Sequence, residues 1–414
     1  MADVRTALPR PITTGAHPSL GIDGRVVAMA LVAFVTLSVY LRQIVHWRQA
    51  ALFLVGGVLG LVLYHAAFGF TSSWRVLISD RRGAGVRGQM LMLAVACVLF
   101  FPVLGSGTPL FTDTIRGNVN PLGSSVVVGA FLFGLGMQLG GGCASGTLFT
   151  VGGGNSRMLV TLGGFIAGSA VGAAHAPWWQ SLPELEAVSL VESFGSWPAL
   201  AISLAAFGAI SAGTVIVERR RHGRRLPGPT PVRHGLARVL SGPWPLVAGA
   251  VGLALANFAT LALAGRPWGI TSGFALWGSK TAALIGFDPA SWTYWSSPAR
   301  QASLVGSVFE HTTSVMNFGI LLGALIASGL AGRFKPAWAV SRRSLVAAIG
   351  GGLLLGYGAR LAYGCNIGAY FSGVASGSLH GWLWLVAAFA GSVVGTHLRP
   401  RFDLVVERTQ TASS

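Results

Sequence analysis

Ten stretches of this chain stay apolar for long enough to cross a bilayer, and that leaves few folds open to it. A spanning helix needs roughly 17–25 mostly apolar residues, and only helices or closed barrels satisfy their own backbone inside hydrocarbon. The stretches run approximately over residues 26–41, 51–70, 89–104, 125–140, 157–174, 198–217, 246–264, 313–331, 345–361 and 382–397. The expectation is an all-α polytopic membrane protein. Charged residues make up only 10% of the chain, against roughly 25% in water-soluble domains. A net charge of +17 would suit nucleic acid, but the cations sit in short clusters between apolar runs. No basic, aromatic-interleaved segment is long enough to fold alone, so nucleic-acid binding is set aside. Three cysteines make no disulfide framework.

The basic clusters also give a direction, because cytoplasmic loops carry an excess of Lys and Arg. Residues 218–238 (ERRRHGRRLPGPTPVRHGLAR) are strongly basic and rich in Pro and Gly. They read as a cytoplasmic linker over 218–243, joining a first membrane repeat with its connecting helix (26–217) to a second (244–400). The loop before the sixth span carries Glu184, Glu186 and Glu192 without Lys or Arg, which suits the outside. On that register Arg75, Arg81, Arg82 and Arg87 fall inside, as do Arg333, Lys335, Arg342, Arg343 and a cytoplasmic tail at 401–414. Arg42 and Arg48 fall outside, against the rule. Residues 1–25 are polar, Pro-rich and lack a signal peptide's apolar core, so they read as a disordered cytoplasmic tail. The protein is thus placed in a bacterial inner membrane with both termini cytoplasmic. Trp47, Trp178, Trp179, Trp197, Trp244, Trp382 and Trp384 fall near span ends, where indole rings favour the interface.

A cysteine inside a glycine run occurs twice, about 220 residues apart. The first copy is GMQLGGGCASG at 136–146 and the second GARLAYGCNIG at 358–368. Aligned on Cys143 and Cys365, they share Gly136/Gly358, Leu139/Leu361, Gly142/Gly364 and Gly146/Gly368. A second pair, FGFTSSWR at 68–75 and WGITSGFA at 268–275, shares Gly69/Gly269, Thr71/Thr271 and Ser72/Ser272. Each precedes a short segment, near 73–79 and 272–285. The two pairs occur in the same order, and an odd number of spans separates equivalent points. This predicts two inverted repeats with short re-entrant helices, an arrangement that puts a site near the midplane at broken helices. The second half also carries an insertion at 287–307, read as an external loop.

Each motif has the composition of a helix start. Thr71, Ser72, Ser73, Thr271 and Ser272, and Ser145, Thr147 and Asn366 after the cysteines, offer hydroxyl or amide N-caps. Glycines at 140–142, 146, 364 and 368 let the backbone turn sharply and approach a ligand. Helix N-termini converging on one volume would bind an anion without a full positive charge in the membrane. A neutral thiol is a soft, weak donor, better matched to a terminal sulfur or selenium than to the oxygens of sulfate or phosphate. The candidate substrate-binding and relay residues are Cys143, Cys365, Gly142, Gly364, Ser145, Gly146, Asn366, Gly368, Thr71, Ser72, Thr271 and Ser272.

The motifs GGGCASG, YGCNIG with the following AYFSGVASGSLHGW, and FGFTS with its counterpart WGITS together resemble the YeeE/YedE membrane protein family. The resemblance covers residues from about 51 to 397. It implies a permease that takes up thiosulfate, with a soluble sulfurtransferase as partner at its cytoplasmic mouth. Thiosulfate-importing members look to carry a further cysteine where this chain has Thr71, Ser72 and Ser73. Another sulfur oxyanion or a selenium species therefore stays open.

Other residues receive plainer readings. Cys97 is a small buried hydrophobe, and Gly129, Gly134, Gly163, Gly168 and Gly172 let helices approach. Arg360 either attracts anions at an outer vestibule or snorkels to the interface, and Lys280 likewise. His65 and His175 read as hydrogen-bonded structural residues, Arg75 as one more inside-positive charge, and His380 receives no chemistry. Neither cysteine motif holds a second Cys, His or carboxylate, which argues against a metal site. No cofactor is expected. The leading function is a non-enzymatic permease passing a small sulfur-containing anion between thiols. The alternatives are a membrane sulfur-transfer protein using a cysteine persulfide, which lacks a base in either motif, and a passive pore or scaffold.

Overall fold

The computed structural model describes residues 21–226, 235–336 and 340–407. The expected N-terminal tail up to residue 20, the centre of the basic linker (227–234) and the last seven residues lie outside this range. Helices dominate, and 10 of the described segments are long and apolar enough to cross a membrane, as the sequence predicts. The long helices are α1 (Gly24–Tyr40), α2 (Trp47–His65), α3 (Phe70–Asp80), α4 (Ala84–Ser106), α5 (Ser124–Gly140), α6 (Ala144–Gly152) and α7 (Ser156–Ala174). They continue with α8 (Ser196–His222), α9 (Leu246–Ala264), α10 (Thr271–Leu284), α11 (Thr312–Leu330), α12 (Arg342–Leu361) and α13 (Leu379–Leu398).

Polar side chains start several of these helices where the chain enters them. Asp23 accepts from the amide of Val26, Asn155 from Met158 and Ser341 from Ser344, each filling one of the orphan donors at a helix N-terminus. Packing is reciprocal. α7 lies along α12 and α13 along α5; α2 lies along α11 and α9 along α4; α10 touches α7 and α3 touches α13. Small residues make these approaches close: a Cβ on Gly134, Gly168, Gly352 or Gly358 would strike the backbone of the neighbouring helix. Gly129 and Gly172 pack as expected, but Gly163 faces open space.

Apolar side chains also line the outside of the bundle. Met29, Val32 and Val35 on α1 and Ile202, Leu204 and Ile216 on α8 are exposed, as side chains facing lipid would be. Trp384 departs from the interface reading: it is fully buried, stacked on Tyr370 with centroids 6.1 Å apart. Part of the proposed linker is also helical. Gly235–Ser241 is a short helix, and α8 runs on through His222. Within it Glu218 is fully buried and pairs with Arg87 at 2.7 Å. Arg25 belongs to α1 rather than to the tail, and residues 401–407 are bound to the body rather than free.

Candidate anion-binding site

Both cysteines sit where a helix breaks and restarts. α5 ends at Gly140, and Gly141 takes a left-handed φ of 95° that turns the chain into Cys143, the N-cap of α6. In the second half Tyr363 takes the equivalent left-handed conformation (φ 57°), and Cys365 is the N-cap of a π-helical turn over Asn366–Ser372. The two cysteines share an extended backbone, with ψ of −171° and −169°. Cys143 Sγ lies 3.4 Å from the Ser145 hydroxyl, and Cys365 Sγ accepts from the Ile367 amide at 3.4 Å. Both thiols are buried in the same core, and α6 packs on the Asn366–Ser372 turn.

The capping expectation needs correcting. The residues at the cap positions are Gly69, Ile270, Cys143 and Cys365. The hydroxyls lie one turn further in: Ser72 and Ser73 donate back to the Gly69 carbonyl at 3.3 and 2.6 Å, and Thr147 to the Cys143 carbonyl at 2.9 Å. A serine or threonine in a first turn folds its hydroxyl onto a nearby carbonyl when no donor faces it. The glycines before the thiols do serve the backbone. Gly364 holds φ 151°, and a Cβ there would lie 2.7 Å from the Ala369 nitrogen; at Gly142 it would meet Met158 at 2.9 Å. Gly368 and Gly269 face open space.

That open space is a cavity of about 740 Å³, into which Thr271, Ser272, Gly364 and Gly368 all look. Among the described residues, four arginines line it, Arg116, Arg266, Arg300 and Arg360, and no carboxylate does. Arg360 faces this cavity rather than the lipid interface, donating to Thr271 Oγ1 and Tyr294 Oη, both at 2.6 Å. The Tyr294 ring lies 4.4 Å from the Arg300 guanidinium and 5.7 Å from that of Arg360, so one aromatic ring steadies two like charges. Tyr294 and Arg300 come from the insertion at 287–307, which is part of the cavity wall rather than a plain loop. Lys280 does not join them; its ammonium holds the Leu304 and Gly306 carbonyls at 2.7 and 2.8 Å.

Sequence reasoning missed the other wall. The segment at 116–120 (RGNVN) fastens itself to the second break: Asn118 Nδ2 donates to the Gly368 carbonyl at 2.6 Å, and the Asn118 amide to Ser376 Oγ at 2.9 Å. Asn120 contacts His380, which also bonds Ser378 at 2.7 Å. An arginine beside two asparagines in an otherwise apolar chain was the available signal. Among the described residues, two buried polar atoms of the cavity wall have no hydrogen-bond partner, Trp268 Nε1 and Arg360 Nε, and neither do Nδ2 and Oδ1 of Asn366 next to Cys365. A buried group without a hydrogen bond costs about 1–3 kcal/mol, so the donors among them are available to a polar guest.

The counterparts in the first half are closed. Thr71, Gln138, Gly142 and Gly146 are all buried, yet the same pairing recurs: Gln138, aligned with Arg360, donates to the carbonyl of Thr71, aligned with Thr271, at 3.2 Å. Arg75 is no simple surface charge. Its side chain is 10% exposed and bidentate to Glu407. His65 packs against Trp244 at a tilt, with no hydrogen-bond partner for either ring nitrogen among the described residues, against expectation, whereas His175 does bond Tyr357, at 3.2 Å. Cys97 is buried in the core as read.

The profile of the "Sulphur transport" family matches residues 65–394. The chain belongs to this family, YeeE/YedE. Relatives within it include the "Thiosulfate transporter TsuA" of Spirochaeta thermophila, 29% identical over 80% of this chain and 92% of its own length. The "Thiosulfate transporter TsuA" of Escherichia coli K12 is 28% identical over 81% and 90%. The "Probable transporter YedE" of Salmonella typhimurium is 31% identical over 37% of each chain, so this chain spans well under half the length of that relative. The family match contains both cysteine breaks and both FGFTS-type elements.

Proposed function

We propose that the protein is an inner-membrane permease for a small sulfur-containing anion of the thiosulfate type. Cys365 and Cys143 make successive soft contacts at the constriction. The observation that carries this reading is the cavity: four arginines and, among the described residues, no carboxylate in its wall, ending at the glycines near Cys365. Such a funnel concentrates a dianion at its base, where low-dielectric walls screen little. Arg360 is pre-oriented by Thr271 and Tyr294 with its Nε unpaired, which leaves a guanidinium edge for an oxyanion. Trp268 Nε1 and the Asn366 amide supply further donors close by. Beyond them the anion meets Cys365, then Cys143 with Ser145, so that its terminal sulfur faces a neutral S–H on each side. No bond to the substrate is made or broken.

The reciprocal packing of equivalent helices supports the inverted repeat, and the short helix after each cysteine supports a re-entrant design. With the basic linker cytoplasmic, the arginine cavity faces outward and both termini inward. The domain division into repeats at 26–217 and 244–400 follows the same symmetry. A soluble sulfurtransferase receiving the anion at the cytoplasmic mouth is what the family resemblance implies. The persulfide reading gains no support, because the partners of the thiols are a serine hydroxyl and a backbone amide, and neither is a base.

The test is uptake of labelled thiosulfate into vesicles. Cys143→Ala and Cys365→Ala should each abolish it at normal protein levels, and uptake that survives both substitutions refutes the relay. Running selenosulfate in parallel decides between sulfur and selenium cargo.

A further inference from the structure

The face opposite the arginine cavity carries a second guanidinium site, and a piece of the chain already occupies it. Arg75 lies on α3, four residues beyond Thr71, and is 8% exposed. Its Nε and Nη2 donate to the two carboxylate oxygens of Glu407 at 2.6 and 2.5 Å, the fork geometry in which arginine grips any planar or tetrahedral oxyanion. Nη1 points to Gln138 Oε1 at 3.5 Å, and Gln138 in turn touches Thr71. Arg399 reaches the Gln138 carbonyl from the other side while holding the Val405 carbonyl at 2.8 Å. The segment arrives by a left-handed turn at Asp403 and runs back over α3, where Ser79 Oγ donates to the Glu407 carbonyl at 2.8 Å. Gln138 stands five residues before Cys143 and occupies the position that Arg360 holds before Cys365.

We propose that Arg75, with Arg399 and Gln138, forms an exit-side oxyanion site, and that the Glu407 carboxylate is a built-in competitor that plugs it until a passing anion displaces it. Three features support a plug rather than a fixed brace. Arg75 is desolvated and needs an anion at all times, whereas the Glu407 side chain is 44% exposed and can leave into water. A dianion outbids a monoanionic carboxylate at a guanidinium. The neighbouring Thr71 hydroxyl is buried with no partner, although Gln138 bonds the same residue's carbonyl. The identity of the displacing anion rests on the function proposed above; the site and its occupant do not.

Ser79→Cys reports the plug directly, because the native thiols are buried and Ser79 lies beneath the segment. A membrane-impermeant maleimide is applied to inside-out vesicles. Labelling should be several-fold faster when Glu407→Gln is added. Millimolar thiosulfate or sulfate, at ionic strength matched with chloride, should speed labelling of the Glu407 protein but not of the Gln variant. Equal rates in both proteins, unmoved by either dianion, overturn the proposal. Glu407→Gln should also raise the initial uptake rate at least twofold. If neither protein takes up labelled thiosulfate, the permease reading fails, and labelling alone decides the plug.

Discussion

Residues of one type do different work at neighbouring positions here, and substitution should separate them. Gly364→Ala forces a side chain into a left-handed conformation and a 2.7 Å approach to the Ala369 nitrogen. Strain of this kind costs about 1–3 kcal/mol, so detergent-solubilised protein should melt at lower temperature, with uptake lost alongside. Gly368→Ala adds a methyl that meets no atom within 4 Å. It should leave the melting temperature unchanged yet slow uptake, because the methyl projects toward the cavity that Gly368 lines. Equal melting losses for the two would remove the distinction. His311 completes the residue scale. It lies in the cavity wall just ahead of α11, and burial together with the Arg266 charge lowers its pKa to about 4. In the folded protein the imidazole stays neutral until pH falls toward that value, whereas the unfolded chain takes up the proton below about pH 6.5, so this group's contribution to stability is lost as pH falls from about 6.5 toward 4. Uptake should therefore be flat between about pH 6 and 8 as far as this group is concerned, and His311→Gln should not alter the pH profile there.

Elements are held by pairs that hydropathy cannot reveal. Arg87 on α4 meets Glu218 near the end of α8, and Glu218 also receives the amides of Gly83 and Leu226. Removing one partner of a buried pair typically costs about 3–5 kcal/mol. Arg87→Ala should lower thermal stability sharply, and adding Glu218→Gln should restore part of the loss; a double variant no better than the single would contradict this. The spans were legible because length and apolarity alone define them. The cysteine breaks were legible because glycine and thiol recur at one spacing. Hydroxyl-rich motifs misled the capping assignment, since serine and threonine look the same whether they accept from an amide or fold back onto a carbonyl. Arg116 and Arg266 went unnoticed because contact between loops distant in sequence brings them to one wall. Glu407 read as tail for the same reason: nothing local announces that a terminal carboxylate will find an arginine 332 positions away.

At the scale of the whole molecule the four arginines act as one field rather than as four contacts. Neutralising Arg116, Arg266 and Arg300 together should raise the half-saturating concentration for uptake and flatten its dependence on ionic strength, leaving the maximal rate near normal. Initial rates measured across a salt series check this, and an unchanged salt slope would show that the field does not steer. The loops around that field are knitted tightly. The Leu190 amide bonds the Gly377 carbonyl at 2.7 Å, that of Leu379 bonds Val188 at 3.1 Å, and Asn118 and Asn120 reach Ser376 and Ser378. So much stitching makes the throat beside the arginine cavity a fixed ring, whose amide protons should resist exchange with heavy water as stubbornly as those of the helices. On the plug proposed above, traffic would be metered at the far end, where a single acidic side chain has only to let go.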